Sequence, residues 1–190
     1  MIPKTNKNVN LPNKLTVLRI ILVPIFMGFL LLRRELPVYA EYLALITFIL
    51  AAITDGLDGY LARKRKRVTK FGKIVDPLAD KLLISAALIT FVALREISAW
   101  AAIIIIGREL AVTGLRVIAA SDGIVISASV WGKLKTTIQI AAIIAIILDP
   151  RLINFPWHLD QVLIWTAVVV TVYSGYLYFN QFNLGFFENE

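Results

Sequence analysis

Two stretches decide the fold: T-D-G-L-D-G-Y-L-A-R, residues 54–63, and G-K-I-V-D-P-L-A-D-K, residues 72–81. Each borders a strongly apolar run and each carries two aspartates, Asp55 and Asp58 three apart, Asp76 and Asp80 four apart. A helical residue advances about 100°, so the first pair falls about 60° apart round the axis and the second about 40°. Each pair therefore shares one face. A short loop joins the two helices, which makes them antiparallel neighbours whose acidic faces can meet. A carboxylate at membrane depth costs ~2.5–3.5 kcal/mol even on the lenient insertion scale, so it needs a partner. Four together offer up to eight oxygens and a formal charge of −4. Divalent cations neutralise such a cluster, and two ions bridged by an aspartate fit it best. Gly56 and Gly59 flank Asp58, and Gly72 extends the stripe of Asp76 and Asp80. Positions without side chains let a ligand or another backbone approach. The alternative has these aspartates capping helix ends or pairing with Arg63 and Lys81. Four carboxylates at helical spacing, with glycines on the same face, argue against it.

The rest of the chain supplies the setting. It has 190 residues, 58% of them hydrophobic, with no cysteine and one histidine, His158. Thiolate and histidine-rich metal sites are thereby excluded, and any metal must be held by oxygen, as Mg²⁺, Mn²⁺ or Ca²⁺ are. The apolar residues come in long blocks, and about 20 residues of helix span a bilayer core. Six spans are predicted, roughly 15–32, 38–61, 74–94, 98–119, 127–148 and 160–181. The fold class is thus all-α, an integral membrane bundle of six transmembrane helices, with 1–190 as a single domain and 1–14 as a cytoplasmic N-terminal segment. The breakers R-R-E-L-P, L-R-E-I-S, S-D-G and D-P-R-L-I-N-F-P separate the spans.

The net charge of +7 is concentrated in R-K-R-K-R-V-T-K, residues 63–70. Between apolar segments, such a run faces anionic headgroups or phosphate substrates rather than nucleic acid. Lysine and arginine counts place this loop, both termini and the four aspartates on the cytoplasmic side. The opposite side has only Arg33, Arg34, Arg95 and Arg151. The last 50 residues read as apolar and uninformative. Trp157, Trp165, Tyr173, Tyr176 and Tyr178 read as interfacial belt and packing.

Together the two stretches match D-x-x-D-G-x-x-A-R-x₈-G-x-x-x-D-x-x-x-D at Asp55, Asp58, Gly59, Ala62, Arg63, Gly72, Asp76 and Asp80. This resembles the signature of the CDP-alcohol phosphotransferases. The resemblance implies six membrane helices, usually a homodimer, and transfer of a phosphatidyl or similar group from a CDP-activated lipid to an alcohol, with release of CMP. It implies two divalent cations, Mg²⁺ or Mn²⁺: Asp55, Asp58 and Asp76 resemble the ligands of one, and Asp55, Asp76 and Asp80 those of the other. Asp80 also resembles the catalytic base that takes the proton of the attacking hydroxyl. Gly59 and Arg63 match positions that contact the CDP part, and Thr69 stands where a hydroxyl residue does the same.

N-L-P-N-K-L-T-V-L-R-I-I-L-V-P, residues 10–24, and the stretch from Gly107 to Gln139 are similar to segments of the phosphatidylglycerophosphate synthases, a branch of that family. The implied donor is CDP-diacylglycerol and the implied acceptor sn-glycerol 3-phosphate. The implied place is a bacterial cytoplasmic membrane, with the active site facing the cytoplasm. An acceptor phosphate beside four carboxylates needs cations of its own. Arg108, Arg116, Lys133 and Lys135 are the candidates, with a Glu109–Arg116 pair as the competing structural use. The same chemistry with inositol phosphate, serine or phosphatidylglycerol is the nearest alternative. A divalent-cation transporter is the alternative from another class, but it would place acidic residues near mid-membrane in several spans, often in repeats.

Overall fold

The computed structural model describes residues 11–65, 70–121, 130–148 and 159–187; within these helices the side chains of 11–14, 37, 55–65, 70–78, 80, 120–121 and 181–187 lie outside the description. The described residues form six α-helices and no strand: α1 (Leu11–Leu32), α2 (Pro37–Arg65), α3 (Lys70–Ala93), α4 (Ala99–Ser121), α5 (Val130–Ile147) and α6 (Leu159–Phe187). A helix stands at each of the six predicted spans: α1, α2, α3 and α6 reach several residues further at one end, α3 and α4 each stop one residue short at the other, and α5 is Val130–Ile147, with residues 127–129 of its predicted span outside the described residues. Two units gather these helices, Met1–Ala86 and Ala87–Glu190.

In the first unit α1 and α2 form an antiparallel hairpin. The turn is tight: Glu35 N and Leu36 N both donate to Leu32 O, each at 2.9 Å. Pro37 opens α2, at the position where a missing backbone donor costs nothing. α1 buries Thr16, Arg19, Val23, Phe26 and Leu30, and Arg33 just past its end continues the stripe, alternately three and four residues apart. α2 answers with Ala40, Glu41, Ala44, Thr47, Phe48, Ala51 and Thr54. The alanines let the backbones come close, as small residues do between membrane helices. Phe26 and Phe48 meet with ring centroids 5.5 Å apart. Arg33 Nε donates to Glu41 Oε1 at 2.7 Å with both side chains buried. Arg33 therefore serves as an internal partner, not as a loop cation.

In the second unit α4 and α5 both pack on α6. α3 ends in the turn that the L-R-E-I-S breaker predicts. Arg95 adopts a left-handed conformation, with φ 63°. Its N–H donates to Val92 O at 3.0 Å and the next N–H, of Glu96, to Phe91 O at 2.9 Å. This is the Schellman arrangement, usually closed by glycine. Gln161 Nε2 at the start of α6 donates to Glu96 O at 2.8 Å. Trp131 of α5 stands edge-on to Tyr173 of α6, centroids 4.8 Å apart.

Large apolar side chains face outward all along these helices, among them Ile21, Leu31, Ile46, Leu50, Ile103, Val169 and Val172. Water would not tolerate so much exposed apolar surface on a monomer. Inward-facing hydroxyls bond within their own helix, as Thr47 Oγ1 does to Leu43 O and Thr54 Oγ1 to Ala51 O, both at 2.7 Å. The chain is a membrane protein. Among the described residues, three helices are long and apolar enough to cross a bilayer unaided: Leu15–Leu32, Val130–Ile147 and Leu159–Asn180. Within their described residues, α2 and α3 contribute the apolar stretches Val38–Thr54 and Lys81–Ala93. α4 carries Arg108, Glu109 and Arg116 in its body.

Candidate active site

α2 runs unbroken from Pro37 to Arg65, so Asp55, Asp58, Gly59 and Arg63 are helical positions. α3 runs from Lys70 to Ala93 and carries Asp76 and Asp80. The helical register that groups each pair of carboxylate positions is therefore in place. α3 continues through Pro77, as membrane helices tolerate when neighbours satisfy the freed carbonyl. The side chains of Asp55, Asp58, Arg63, Asp76 and Asp80, and Thr69 as a whole, lie outside the described residues.

The four distal cations divide into two kinds. Lys135 is buried and its Nζ donates to Glu109 Oε1, linking α5 to α4. Glu109 thus takes Lys135 as partner, not Arg116. Seven residues along one helix span about 10.5 Å, a long reach for a direct pair, whereas α5 brings its ammonium to Glu109 from the side. Arg108 is half-buried against α6. Its Nη2 donates to Ser174 Oγ at 2.9 Å, and its guanidinium carbon lies 5.4 Å from the Tyr178 ring centroid. Arg116 and Lys133 are exposed.

A polar core joins these helices inside the second unit. Gln139 Nε2 donates to Thr171 Oγ1 at 3.2 Å, and Ser174 Oγ donates to Thr171 O at 3.1 Å. Gly175 gives the Arg108 stem its room: a Cβ there would lie 3.1 Å from Arg108 Cγ. Thr171, Ser174, Gly175 and Tyr178 follow helical spacing along one face of α6. That polar and small stripe inside a hydrophobic helix is a signal that overall hydropathy conceals. Tyr178, read above as belt or packing, is buried beneath Arg108.

The profile of the CDP-alcohol phosphatidyltransferase family matches residues 9–173. The chain belongs to this family. It is a membrane-embedded transferase of the phosphatidyltransferase type. Among similar curated proteins is the CDP-diacylglycerol–glycerol-3-phosphate 3-phosphatidyltransferase of Bacillus subtilis (strain 168), 46% identical over 90% of this chain and 94% of its own. The protein of the same name from Rickettsia bellii (strain RML369-C) is 36% identical over 90% of this chain and 93% of its own. A probable phosphatidylglycerophosphate synthase of Mycobacterium tuberculosis (strain CDC 1551 / Oshkosh) is 41% identical over 87% of this chain and 78% of its own.

For this phosphatidyltransferase the match takes in both acidic helices, all four distal cations and Thr171 of the α6 stripe. Sequence reasoning missed two groups of polar residues. The first is Ser174, Gly175 and Tyr178, which seat Arg108. The second is Arg19 with Thr16, buried in α1 at 1% and 0% exposure. An arginine buried inside a membrane helix was the available signal.

Proposed function

We propose that the chain transfers a phosphatidyl group from CDP-diacylglycerol to sn-glycerol 3-phosphate, giving phosphatidylglycerophosphate and CMP in phosphatidylglycerol and cardiolipin synthesis. The observation that carries this reading is the complete acidic signature on two consecutive helices, in a chain 46% identical over 90% of its length to a transferase of that name.

The donor set tests whether divalent ions fit. It is four carboxylates in a cysteine-free chain, all hard oxygen ligands, which suits Mg²⁺ or Mn²⁺. Asp55, Asp58 and Asp76 would hold one ion, and Asp55, Asp76 and Asp80 the second. When bound, the ions supply charge neutralisation at the diphosphate and at the departing CMP oxygen. Asp80 accepts the proton of the acceptor hydroxyl as its oxygen bonds to the phosphatidyl phosphorus and the bond to CMP breaks. Gly59 leaves room for the CDP part, Thr69 donates a hydroxyl to it, and Arg63 offers its guanidinium to the phosphates. Arg108, Arg116, Lys133 and Lys135 serve the acceptor phosphate, which carries about two negative charges near neutral pH. Lys135 does so by sharing or exchanging its Glu109 partner, and Arg108 by turning from Ser174.

The same reading takes 1–190 as one catalytic domain, supported by a family match that runs through both units. It places the chain in a bacterial cytoplasmic membrane as a homodimer, with active site and termini toward the cytoplasm. Support comes from the bacterial relatives and from the basic 63–70 loop. The test is CMP release by purified protein given CDP-diacylglycerol and, in turn, glycerol 3-phosphate, inositol phosphate, serine and phosphatidylglycerol. Glycerol 3-phosphate should be the acceptor that drives release. Equal or greater release with another acceptor would sink the assignment.

A further inference from the structure

The α1–α2 hairpin has a register that two contacts define. Arg33 meets Glu41, and Phe26 meets Phe48. Seven residues back along α1 are matched by seven forward along α2. Seven residues are nearly two turns and return to the same face within about 20°. α1 stays helical through Pro24 and α2 is one helix from Pro37 to Arg65, so one more step of the same register brings Arg19 level with position 55, and three further residues bring Thr16 level with position 58. Arg19 and Thr16 stay on the buried stripe of α1 throughout this run.

Arg19 is 1% exposed, among the largest fully buried side chains described in this protein. Its neighbours on the stripe are Thr16, Val23 and Phe26, none of them acidic. From Tyr42 to Arg65, α2 has only two acidic residues, Asp55 and Asp58. An intramembrane guanidinium needs an anion or a set of carbonyls close by. At the height of Arg19, α2 offers the first of those carboxylates.

We propose that Arg19 pairs with Asp55 and is a positioning residue for the acidic face of α2. A planar guanidinium can hold a carboxylate through two parallel hydrogen bonds, fixing its direction as well as its charge. It occupies the oxygen edge that faces α1 and leaves the rest of the carboxylate for ligation. It also offsets one negative charge of a cluster that would otherwise repel itself. The inference rests on the role of Asp55 in the proposed reaction, and its first test does not depend on turnover.

That test is a double-variant cycle on thermal unfolding of the full chain in detergent with chelator present. Arg19→Gln and Asp55→Asn should each lower the melting temperature. The double variant should lie well above the sum of the two losses, because each single variant leaves an unpaired buried charge behind and the double variant leaves none. Additive losses would overturn the pairing, whatever the activity proves to be. The second arm is kinetic. Arg19→Gln should lower kcat about tenfold or more, as small misplacements of reacting groups do, and raise the Mg²⁺ concentration for half-maximal rate. The KM for glycerol 3-phosphate should stay within about twofold, and Arg19→Lys should recover part of the loss, since it restores charge but not the fork. If Arg19→Gln folds poorly, Arg19→Lys carries this arm alone, with a smaller kcat loss and the same Mg²⁺ shift. Wild-type kcat and Mg²⁺ requirement in either variant would refute the positioning role. A wild-type protein that releases no CMP would instead refute the proposed reaction and leave the cycle to stand by itself.

Discussion

Removing one partner of the Glu109–Lys135 pair should destabilise the second unit severely, and removing both should not. The two side chains are 16% and 6% exposed, so a lone survivor is held away from water. Breaking a buried pair from one side costs about 3–5 kcal/mol, against about 0–1 kcal/mol for an exposed pair. For a chain of this size each kcal/mol moves the melting temperature by about 2–4 °C. Lys135→Met or Glu109→Gln alone should therefore lower it by about 6–20 °C. The double variant keeps similar volumes without an uncompensated charge and should regain most of that loss. Thermal unfolding in one detergent at fixed protein concentration reads the cycle. Single losses below about 2 °C, or a double variant that loses the sum, would refute the pairing as a stabilising contact. The same proteins test the proposed acceptor role. If Lys135 reaches the acceptor phosphate, the double variant regains its melting temperature but keeps a raised KM for glycerol 3-phosphate. If both recover together, Lys135 is a structural residue only.

Asp55→Asn, Asp58→Asn, Asp76→Asn and Asp80→Asn should each cut CMP release by orders of magnitude while the protein still reaches the membrane fraction; near-normal activity in two of them would end the dinuclear reading. Arg116→Gln should raise the KM for glycerol 3-phosphate about tenfold or more, since a charged hydrogen bond is worth ~1.5–3 kcal/mol. The KM for CDP-diacylglycerol should change much less; equal losses for both substrates would point to packing instead. A cysteine introduced as Lys66→Cys in this cysteine-free chain should resist impermeant maleimide added outside intact cells and react once they are opened. Labelling from outside would overturn the orientation.

Helix order and boundaries were legible because length, apolar blocks and breakers all report the same intervals. Leu32 ends α1 just before R-R-E-L-P, and Ala93 ends α3 just before the turn at Arg95. The acidic signature was legible because helical spacing is local. Partner choice was not. Glu109 could be matched with Arg116 only by looking along α4; its actual partner comes from α5. Arg33 counted as a loop charge because it follows the last apolar residues, yet the turn folds Glu41 back onto it. The α6 stripe of Thr171, Ser174, Gly175 and Tyr178 escaped notice because averaging over an apolar helix erases a narrow polar face.

These escapes share a physical cause. Between helices in lipid, burial of apolar surface does little to choose one register over another, because side chains facing outward are as well solvated as those facing inward. Close packing and polar contacts must then set the register. In the first unit the work falls to Arg33–Glu41 and Phe26–Phe48, which fix how far α2 has climbed when Asp55 is reached. In the second it falls to Glu109–Lys135, Arg108–Ser174 and Gln139–Thr171, which tie α4 and α5 to each other and to α6. Polar side chains at such positions are costly unless paired. Hence a buried charge in this chain serves either as a register pin or as part of the chemistry, and Arg19 joins the two if its partner is Asp55. Moving the Arg33–Glu41 pin should then disturb catalysis from the far end of the hairpin, through the height of Asp55 and not through any contact with substrate.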